Sequence, residues 1–355
     1  MKKSAMLHAS RFMLHVSCLM LSSAFAADLA WTDASTLPLY GKGFEGGKHY
    51  CRLPQDVKEK VTNKKVQLMA DDCTGLYVEF KTDADKLNFE WTLANPDRSD
   101  ANISPTGCQG LDIYAGDGAG NWRFVSTGRV RLADKKNPVR TKENLKWDTN
   151  KICRVYLPYR GQVDSLKIGV KEGKKVEAYE EKLPRVVHYG TSVVHGGCVD
   201  RAGLLFTSIY GRLAGVEVVN LGFSGSAKLE PELPELWASI PAELYVVDSA
   251  LNNHPPEIEK NLEPFVRELA KRVGSKPILI PEPVSTFEKE TDRSLATRKV
   301  YEKLKAEGFN VYTIRTDELI ADDSEGTVDG THPNAYGAMQ MGRAFAKKVR
   351  EILGK

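Results

Sequence analysis

Hydrophobic and polar positions alternate through the first half of the chain. Short alternating runs occupy residues 76–80, 87–93, 111–114, 122–125, 155–158 and 166–170. Turn-forming residues separate them, for example in the segment 117–121. Many short strands with turns between them predict an antiparallel β-sandwich. The segment at 117–121 lacks the ligand spacing of a calcium loop, so we interpret it as a hairpin turn.

The pattern changes after about residue 184. Continuous apolar runs now appear at 186–189, 216–221, 244–247, 278–280 and 311–314. Between them lie stretches with a single apolar stripe at helical spacing, as at 341–352 and 258–273. Pro264 interrupts the second stripe and predicts a helix that starts late or kinks there. Buried strands alternating with amphipathic helices predict a parallel five-stranded sheet in a three-layer α/β/α sandwich.

These two patterns divide the chain into domains. We predict a β-sandwich domain at 27–177, a linker at 178–184 and an α/β domain at 185–355. Residues 1–26 are predicted to be a secretory signal peptide, because basic residues precede an apolar stretch and Ala24-Phe25-Ala26 forms a small-x-small cleavage signal. Cleavage after Ala26 implies a periplasmic or extracellular protein. The apolar stretch is short for a membrane span, so no stable membrane insertion is expected.

The net charge of the chain does not change this predicted domain organisation. The formal net charge is +3, and residues 1–26 contribute three basic side chains and no acidic ones. The remaining chain is near neutral, which argues against nucleic acid as a partner.

Five cysteines follow the predicted signal peptide: Cys51, Cys73, Cys108, Cys153 and Cys198. None shows Cys-x-x-Cys spacing, so the sequence predicts no metal site. Export permits one or two disulfides among the first four. We interpret Cys198, which follows two glycines, as a small buried residue rather than a nucleophile.

Candidate chemistry lies at the predicted strand ends. The run 186–189 breaks into Gly190-Thr191-Ser192, and Asp329 precedes His332 by three positions. Serine is a poor nucleophile until an imidazole takes its proton, and the imidazole needs a carboxylate to fix its tautomer. Because ligands gather at the carboxyl ends of parallel strands, these segments can meet at one edge. They predict a catalytic triad of Ser192, His332 and Asp329, which requires no cofactor.

Four short blocks resemble, in order, those of the SGNH or GDSL-type hydrolases, which have a flavodoxin-like α/β fold. The blocks are Tyr189-Gly190-Thr191-Ser192, Asn220-Leu221-Gly222-Phe223-Ser224-Gly225, Asp248-Ser249-Ala250-Leu251-Asn252 and Asp329-Gly330-Thr331-His332-Pro333. Thr191 stands where many members have Asp, and the third block lacks its usual Gly and Asp neighbours. Gly110-Leu111-Asp112-Ile113-Tyr114 is similar to the Gly-x-Asp-Leu-Tyr signature of a β-domain that precedes some such esterases, mainly in polysaccharide-degrading bacteria.

The resemblance implies roles for individual residues. Ser192 attacks the acyl carbonyl, His332 transfers the proton and Asp329 orients His332. The oxyanion is held by the backbone N–H groups of Ser192 and Gly225 and by the side-chain amide of Asn252. The dipole of the helix that starts at Ser192 is expected to add to this. Gly222 and Asn253 remain alternatives to Gly225 and Asn252.

Four further residues are assigned to the surroundings of this site. His254 is predicted to edge the substrate cleft. Glu282, between two prolines, is predicted to shape the pocket or bind a substrate hydroxyl, with a structural turn as the alternative. His195 is interpreted as pocket lining. Arg201 is interpreted as a surface arginine, with an acidic sugar as an alternative partner.

The sequence therefore predicts an exported serine esterase that removes O-acetyl or other small acyl groups from carbohydrates or other small esters. A lipase, thioesterase or lysophospholipase with the same triad is one alternative, and a non-catalytic glycan-binding protein is another. The glycine-bearing segment 190–197 follows a predicted strand but contains neither Gly-Lys-Ser/Thr nor Gly-x-Gly-x-x-Gly, which argues against nucleotide binding there.

Overall fold

The computed structural model describes residues 28–96, 100–128, 139–285, 288–320 and 323–355. The predicted signal peptide at 1–26 lies outside these residues. Within these ranges, no helix has the length and hydropathy that a membrane span requires.

The first half of the chain forms two antiparallel sheets that enclose an apolar core. One sheet has the strand order β1-β9-β4-β7, and the other has the order β10-β3-β8-β5-β6 with β2 paired to β3. The strands are β1 (Leu29–Asp33), β2 (Leu39–Tyr40), β3 (Tyr77–Thr82), β4 (Lys86–Leu93), β5 (Leu111–Gly116), β6 (Trp122–Gly128), β7 (Arg140–Lys146), β8 (Ile152–Tyr156), β9 (Val163–Lys171) and β10 (Val176–Ala178). The predicted β-sandwich is confirmed.

Strands β1 and β7 are absent from the sequence prediction. Both lie at the edges of their sheet, and most of their side chains are exposed or half-buried. An edge strand buries little on either face, so it shows no clear alternation of apolar residues. The predicted hairpin at 117–121 does join β5 to β6, and Asp117 Oδ1 accepts the N–H groups of Ala119 and Asn121 at 2.8 and 3.1 Å.

The second half forms a parallel five-stranded sheet between two layers of helices. The strand order is β12-β11-β13-β14-β15. The strands are β11 (Arg185–Gly190), β12 (Glu217–Gly222), β13 (Leu244–Asp248), β14 (Ile278–Leu279) and β15 (Val311–Tyr312), and the helices are α4 (Ser192–His195), α5 (Phe206–Ala214), α6 (Leu233–Ala238), α7 (Pro255–Val273), α8 (Asp292–Ala306) and α9 (Ala335–Leu353). Helices α5 and α9 cover one face, and α6, α7 and α8 cover the other. The predicted α/β/α class is confirmed, with β11 beside the point where the strand order reverses.

Three short helices precede these elements: α1 (Gln55–Lys60), α2 (Lys64–Met69) and α3 (Pro105–Gln109). Apolar residues of α1 and α2, among them Val57 and Val66, pack in the same core cluster as Phe223 and Trp237 of the α/β half. This part of the predicted N-terminal domain therefore completes the core under the parallel sheet.

Two local expectations were wrong. Helix α7 begins at Pro255, so the expected late start is wrong, and the helix continues through Pro264. Pro264 and Lys260, whose carbonyl loses its donor, both lie on the solvent side, so water can replace the missing bond. Cys51, Cys73 and Cys153 are buried free thiols, so the permitted disulfides do not form among them.

Candidate active site

Three side chains from two distant segments form one chain of hydrogen bonds. Ser192 Oγ lies 2.8 Å from His332 Nε2, and His332 Nδ1 lies 2.7 Å from Asp329 Oδ2. Ser192 opens α4 directly after β11, while Asp329 and His332 occupy the loop before α9. In this arrangement the carboxylate holds a proton on Nδ1, so Nε2 is free to accept the serine proton.

The position of Ser192 depends on a tight turn from strand to helix. A Cβ on Gly190 would lie 2.3 Å from Val194 Cγ2 and 2.6 Å from the Asp248 carbonyl oxygen, so only glycine fits. The N–H groups of His195 and Gly197 then close the turn on Thr191 O and Ser192 O, both at 2.9 Å. Helix α4 is a single turn of four residues, so the dipole expected to act at Ser192 is that of a short helix.

The loop that carries Asp329 and His332 is fixed at both ends. Thr327 and Pro333 form an isolated antiparallel bridge, and Gly330 between them has a φ of +85°. Asn334 caps α9 by accepting the N–H groups of the first helical turn. The N–H of Cys198 donates to Pro333 O at 3.1 Å, which ties this loop to the segment that follows Ser192.

Burial raises the pKa of Asp329, but hydrogen bonds lower it by more. Asp329 Oδ1 accepts the N–H groups of His332 and Thr331 at 2.8 and 3.0 Å, and Oδ2 faces the imidazole. The net result is a pKa below the ordinary value, so the carboxylate is ionised at neutral pH. The side chains of His332 and Asp329 remain 29% and 34% exposed, which leaves the site open to water and substrate.

The structure separates the two candidate oxyanion glycines. Gly222 is buried, and its N–H donates to Asn220 Oδ1 at 2.9 Å. A Cβ there would lie 2.2 Å from His195 N, so Gly222 allows β12 to pack closely against α4. Gly225 is exposed, has a φ of +65°, and no acceptor for its N–H occurs among the described residues. Of these two glycines, Gly225 is therefore the one whose N–H is available for a substrate oxygen.

The two candidate asparagines also differ. Asn253 is buried, and its amide nitrogen donates to Ala227 O at 3.0 Å and to Ser249 O at 2.8 Å. Both amide hydrogens are therefore used. Asn252 is half-buried and donates to Ser226 O, next to Gly225 in the chain. One N–H of Asn252 remains for a ligand.

An arginine from the N-terminal half supports the end of β12. The Arg52 side chain is 1% exposed and donates to Gly222 O at 2.8 Å, Asn220 O at 3.2 Å and two carbonyls of its own half. Its guanidinium also lies over the Phe223 ring, 4.6 Å from the centroid. This one side chain fixes the backbone that leads to Gly225.

His195 also supports the backbone between β12 and Gly225. The N–H of Ser224 donates to His195 Nδ1 at 3.3 Å, and His195 Nε2 lies 3.2 Å from Asp72 Oδ2. Because Nδ1 accepts, the proton sits on Nε2 and faces the carboxylate. Arg160 Nη2 donates to Ser224 Oγ at 2.6 Å. His195, expected to line the pocket, is instead a fully buried support.

Asp72, Arg52 and Arg160 had no role in the sequence prediction. Arg52 and its carbonyl partners on β12 are 168 and 170 positions apart. Nothing in the local pattern around Arg52 indicates such a partner, because every residue type has a backbone carbonyl. The sequence therefore does not show which carbonyls an arginine will bind.

Two further predictions are corrected. Glu282 is 1% exposed and accepts from Arg298 at 2.7 and 3.1 Å and from the N–H of Thr316 at 3.0 Å, so it has no capacity left for a substrate hydroxyl.

Arg201 is not a surface arginine, since it donates to Asp112 Oδ2 at 2.8 Å and to the Tyr114 hydroxyl at 2.7 Å. His254 is exposed at the N-cap of α7, and its substrate role stays a prediction.

The Arg201 contacts show what the Gly-x-Asp-x-Tyr segment does. Asp112 is fully buried, and it accepts the Gly203 N–H at 2.7 Å as well as Arg201. Burial raises the pKa of this carboxyl, and Arg201 opposes the increase. The segment therefore joins the two halves through a buried ion pair and a backbone hydrogen bond.

Comparison with known families agrees with this architecture. Residues 183–350 match the GDSL-like lipase/acylhydrolase family, and residues 29–176 match GxDLY, the N-terminus of SGNH-hydrolase-type esterases. No curated protein matches the chain.

Solved structures share this fold over most of their length. A GDSL-like lipase from Bacteroides ovatus is 27% identical, with 92% of this chain and 98% of that chain covered and a TM-score of 0.83. A salicylyl-acyltransferase from a tetracycline biosynthetic pathway is 20% identical, with 92% and 97% covered and a TM-score of 0.70. A family two carbohydrate esterase from Clostridium thermocellum, in complex with cellohexaose, is 11% identical, with 79% and 93% covered and a TM-score of 0.56.

Burial raises the pKa of the Cys198 thiol to about 11, and the nearby Asp329 carboxylate adds to the increase. The reactive thiolate is therefore scarce at neutral pH. We expect iodoacetamide to label Cys198 slowly at pH 7, with a rate that rises about tenfold per pH unit up to pH 10. Mass spectrometry of the Cys198 peptide measures this rate. Rapid labelling at pH 7 would contradict the assignment of Cys198 as an unactivated thiol.

Replacing Arg52 should destabilise the fold. In Arg52→Leu, four backbone carbonyls lose a charged donor inside the protein, so the free energy of unfolding should fall by about 3 kcal/mol or more. Urea unfolding measures the change, and exposed Arg123→Leu is the matched control. Equal stability of the two variants would show that Arg52 does not hold β12.

Proposed function

Since the chain carries a GDSL-like lipase/acylhydrolase domain behind a GxDLY domain, we propose that it is an exported serine esterase that removes O-acetyl or other small acyl groups from carbohydrates. The observation that carries the proposal is the continuous chain from Ser192 Oγ through His332 to Asp329, with contacts of 2.8 and 2.7 Å.

In the proposed mechanism, Ser192 Oγ attacks the acyl carbonyl carbon while His332 Nε2 takes its proton. The Asp329 carboxylate stabilises the imidazolium that results. The negative oxygen of the tetrahedral intermediate binds the N–H groups of Ser192 and Gly225 and the amide of Asn252. His332 then returns its proton to the departing sugar oxygen. Water, deprotonated by the same imidazole, attacks the acyl-serine. The bond from the acyl carbon to Ser192 Oγ breaks, and His332 returns the proton to Oγ as the carboxylic acid leaves.

The surroundings of the triad support a short acyl group. The residues that we assign to the surroundings of the triad, Ser224, Gly225, Asn252 and His254, are small or polar. A lipase or thioesterase needs an apolar groove for a long chain, and these side chains offer none. The carbohydrate part is supported by the predicted export signal and by the carbohydrate esterases that share the fold.

A non-catalytic glycan-binding protein is the competing function. A site that has lost its chemistry has no need to keep Ser192 and His332 in contact, yet both hydrogen bonds of the chain are present. The departures from the family pattern at Thr191 and in the asparagine block leave both of these hydrogen bonds in place.

Ser192→Ala should abolish hydrolysis of aryl acetates and of acetylated xylan. Loss of the nucleophile is expected to lower kcat by roughly 10⁴-fold or more, with folding unchanged. Acetate release and covalent labelling by a fluorophosphonate provide two separate readouts. Equal rates for the wild type and Ser192→Ala would end the esterase proposal. Faster hydrolysis of aryl octanoate than of aryl acetate would favour a lipase instead.

Asn252→Ala should lower kcat by about 10²–10³ and change KM little, because an oxyanion donor acts mainly in the transition state. Asn253→Ala is the matched control. Its amide holds two backbone carbonyls, so this variant should lose stability in urea while the folded fraction keeps most of its kcat. The reverse pattern would transfer the oxyanion role to Asn253.

A further inference from the structure

A broad cleft separates the edge strand β6 from helices α5 and α9. Its volume is about 1040 Å³, and residues of both halves of the chain line it. Strand β6 contributes one wall, and Leu213 and Met339 belong to the other. None of the triad or oxyanion residues lies in this lining.

The lining of the cleft carries a strong excess of positive charge. One carboxylate, Asp117, faces six cationic side chains: Arg123, Lys151, Arg201, Arg212, Arg343 and Arg350. The whole chain is almost balanced, with 50 basic and 47 acidic side chains. The charge of the cleft is therefore a local feature, and it favours an anionic ligand.

Part of this cationic wall is held in place by the fold. Arg201 is bound to Asp112 and lies over the Phe124 ring, 3.8 Å from the centroid. Arg212 lies over the Tyr114 ring at 4.3 Å and donates to Gly203 O at 2.7 Å. These contacts order the wall before any ligand arrives, which reduces the entropic cost of binding.

Three other cationic side chains of the cleft are not neutralised by a neighbouring carboxylate. Arg123, Lys151 and Arg343 form no ion pair with any carboxylate in the part of the chain that the structure describes. Asp117, on the same wall, is already bound to the backbone and side chain of Asn121. The unpaired cations come from both domains, so a ligand that reaches them all would bridge the cleft.

Apolar surface lies between these cations. Phe124 is 45% exposed and Leu213 is 46% exposed, on opposite sides of the cleft. Trp122 is half-buried, with the Arg154 guanidinium over its ring at 3.9 Å. Exposed aromatic side chains beside cations suit a ligand that has both apolar ring faces and negative charges. Sugar rings that carry carboxylates have both.

The cleft is also connected to the catalytic loops. Helix α9 begins three residues after His332 and carries Met339, Arg343 and Arg350 away from the site. With 1.5 Å of rise per residue, Arg343 lies about 12 Å along the helix from its start. A polymer bound in the cleft can therefore extend toward Ser192, whereas a small ester cannot contact both places.

We propose that this cleft binds an acidic polysaccharide, with uronic-acid carboxylates at Arg123, Lys151 and Arg343 and a sugar ring against Phe124. The choice of a glycan, rather than another polyanion, rests on the proposed esterase function. The binding site itself does not depend on Ser192. The protein would thus hold an acidic chain in the cleft while it deacylates the same chain at the triad.

Affinity electrophoresis of the full mature protein in gels with polygalacturonate or neutral xylan tests this proposal. We expect polygalacturonate to retard the protein strongly, and 0.5 M NaCl to remove the effect. The double variant Arg123→Glu/Arg343→Glu should bind at least tenfold more weakly, with aryl-acetate hydrolysis unchanged. Lys347→Glu is the matched control, because Lys347 is exposed on α9 outside the cleft lining.

Several results would overturn the proposal. These are equal retardation by neutral xylan, an equal loss of binding in Lys347→Glu, or binding of duplex DNA as tight as that of polygalacturonate. The proposed function fails separately, if the wild type releases no acetate from any ester. Retained polygalacturonate binding in such a protein, and its loss in the double variant, would leave the cleft assignment standing.

Discussion

The hydrogen bond between Ser192 Oγ and His332 Nε2 joins residues 140 positions apart, and the whole site depends on it. It exists because two backbone constraints meet at one edge of the parallel sheet. Gly190 allows β11 to turn sharply into α4, and the Cys198 N–H holds the loop of His332 through Pro333 O. Neither constraint involves a catalytic side chain, so the reactive groups owe their geometry to the packing of the backbone around them.

The N-terminal half contributes side chains that support the active site. Arg52 binds two carbonyls at the end of β12, Asp72 faces His195, and Arg160 donates to Ser224. Residues of α1 and α2 fill the core under the parallel sheet. Charged groups inside a protein are stable only where hydrogen bonds satisfy them, so these contacts tolerate little displacement. They couple the position of Gly225 to the docking of the two halves, and Asp112 and Arg201 reinforce that docking.

Particular residues show where sequence reasoning succeeds. The alternating runs and the apolar runs predicted both sheets, because a strand with a buried face must place its apolar residues at every second position or continuously. Asp329 and His332 lie three positions apart, so one loop brings them together. Edge strands β1 and β7 were missed, since they bury little, and the sequence left Gly222 and Asn253 open as alternatives. Their exclusion required knowing that both already donate inside the protein.

The sequence by itself determined the fold class, the family resemblance and the residues that can form a triad, because these follow from local periodicity and from motifs of a few neighbouring positions. The tertiary structure alone decided which polar groups are already bonded. Glu282 is occupied by Arg298, Arg201 by Asp112, and His195 by Asp72 and Ser224. It also placed cations from distant elements around one cleft. The physical reason is that a polar side chain is available to a ligand only when the fold leaves its hydrogen-bonding atoms unused, and its partners lie far away in the chain.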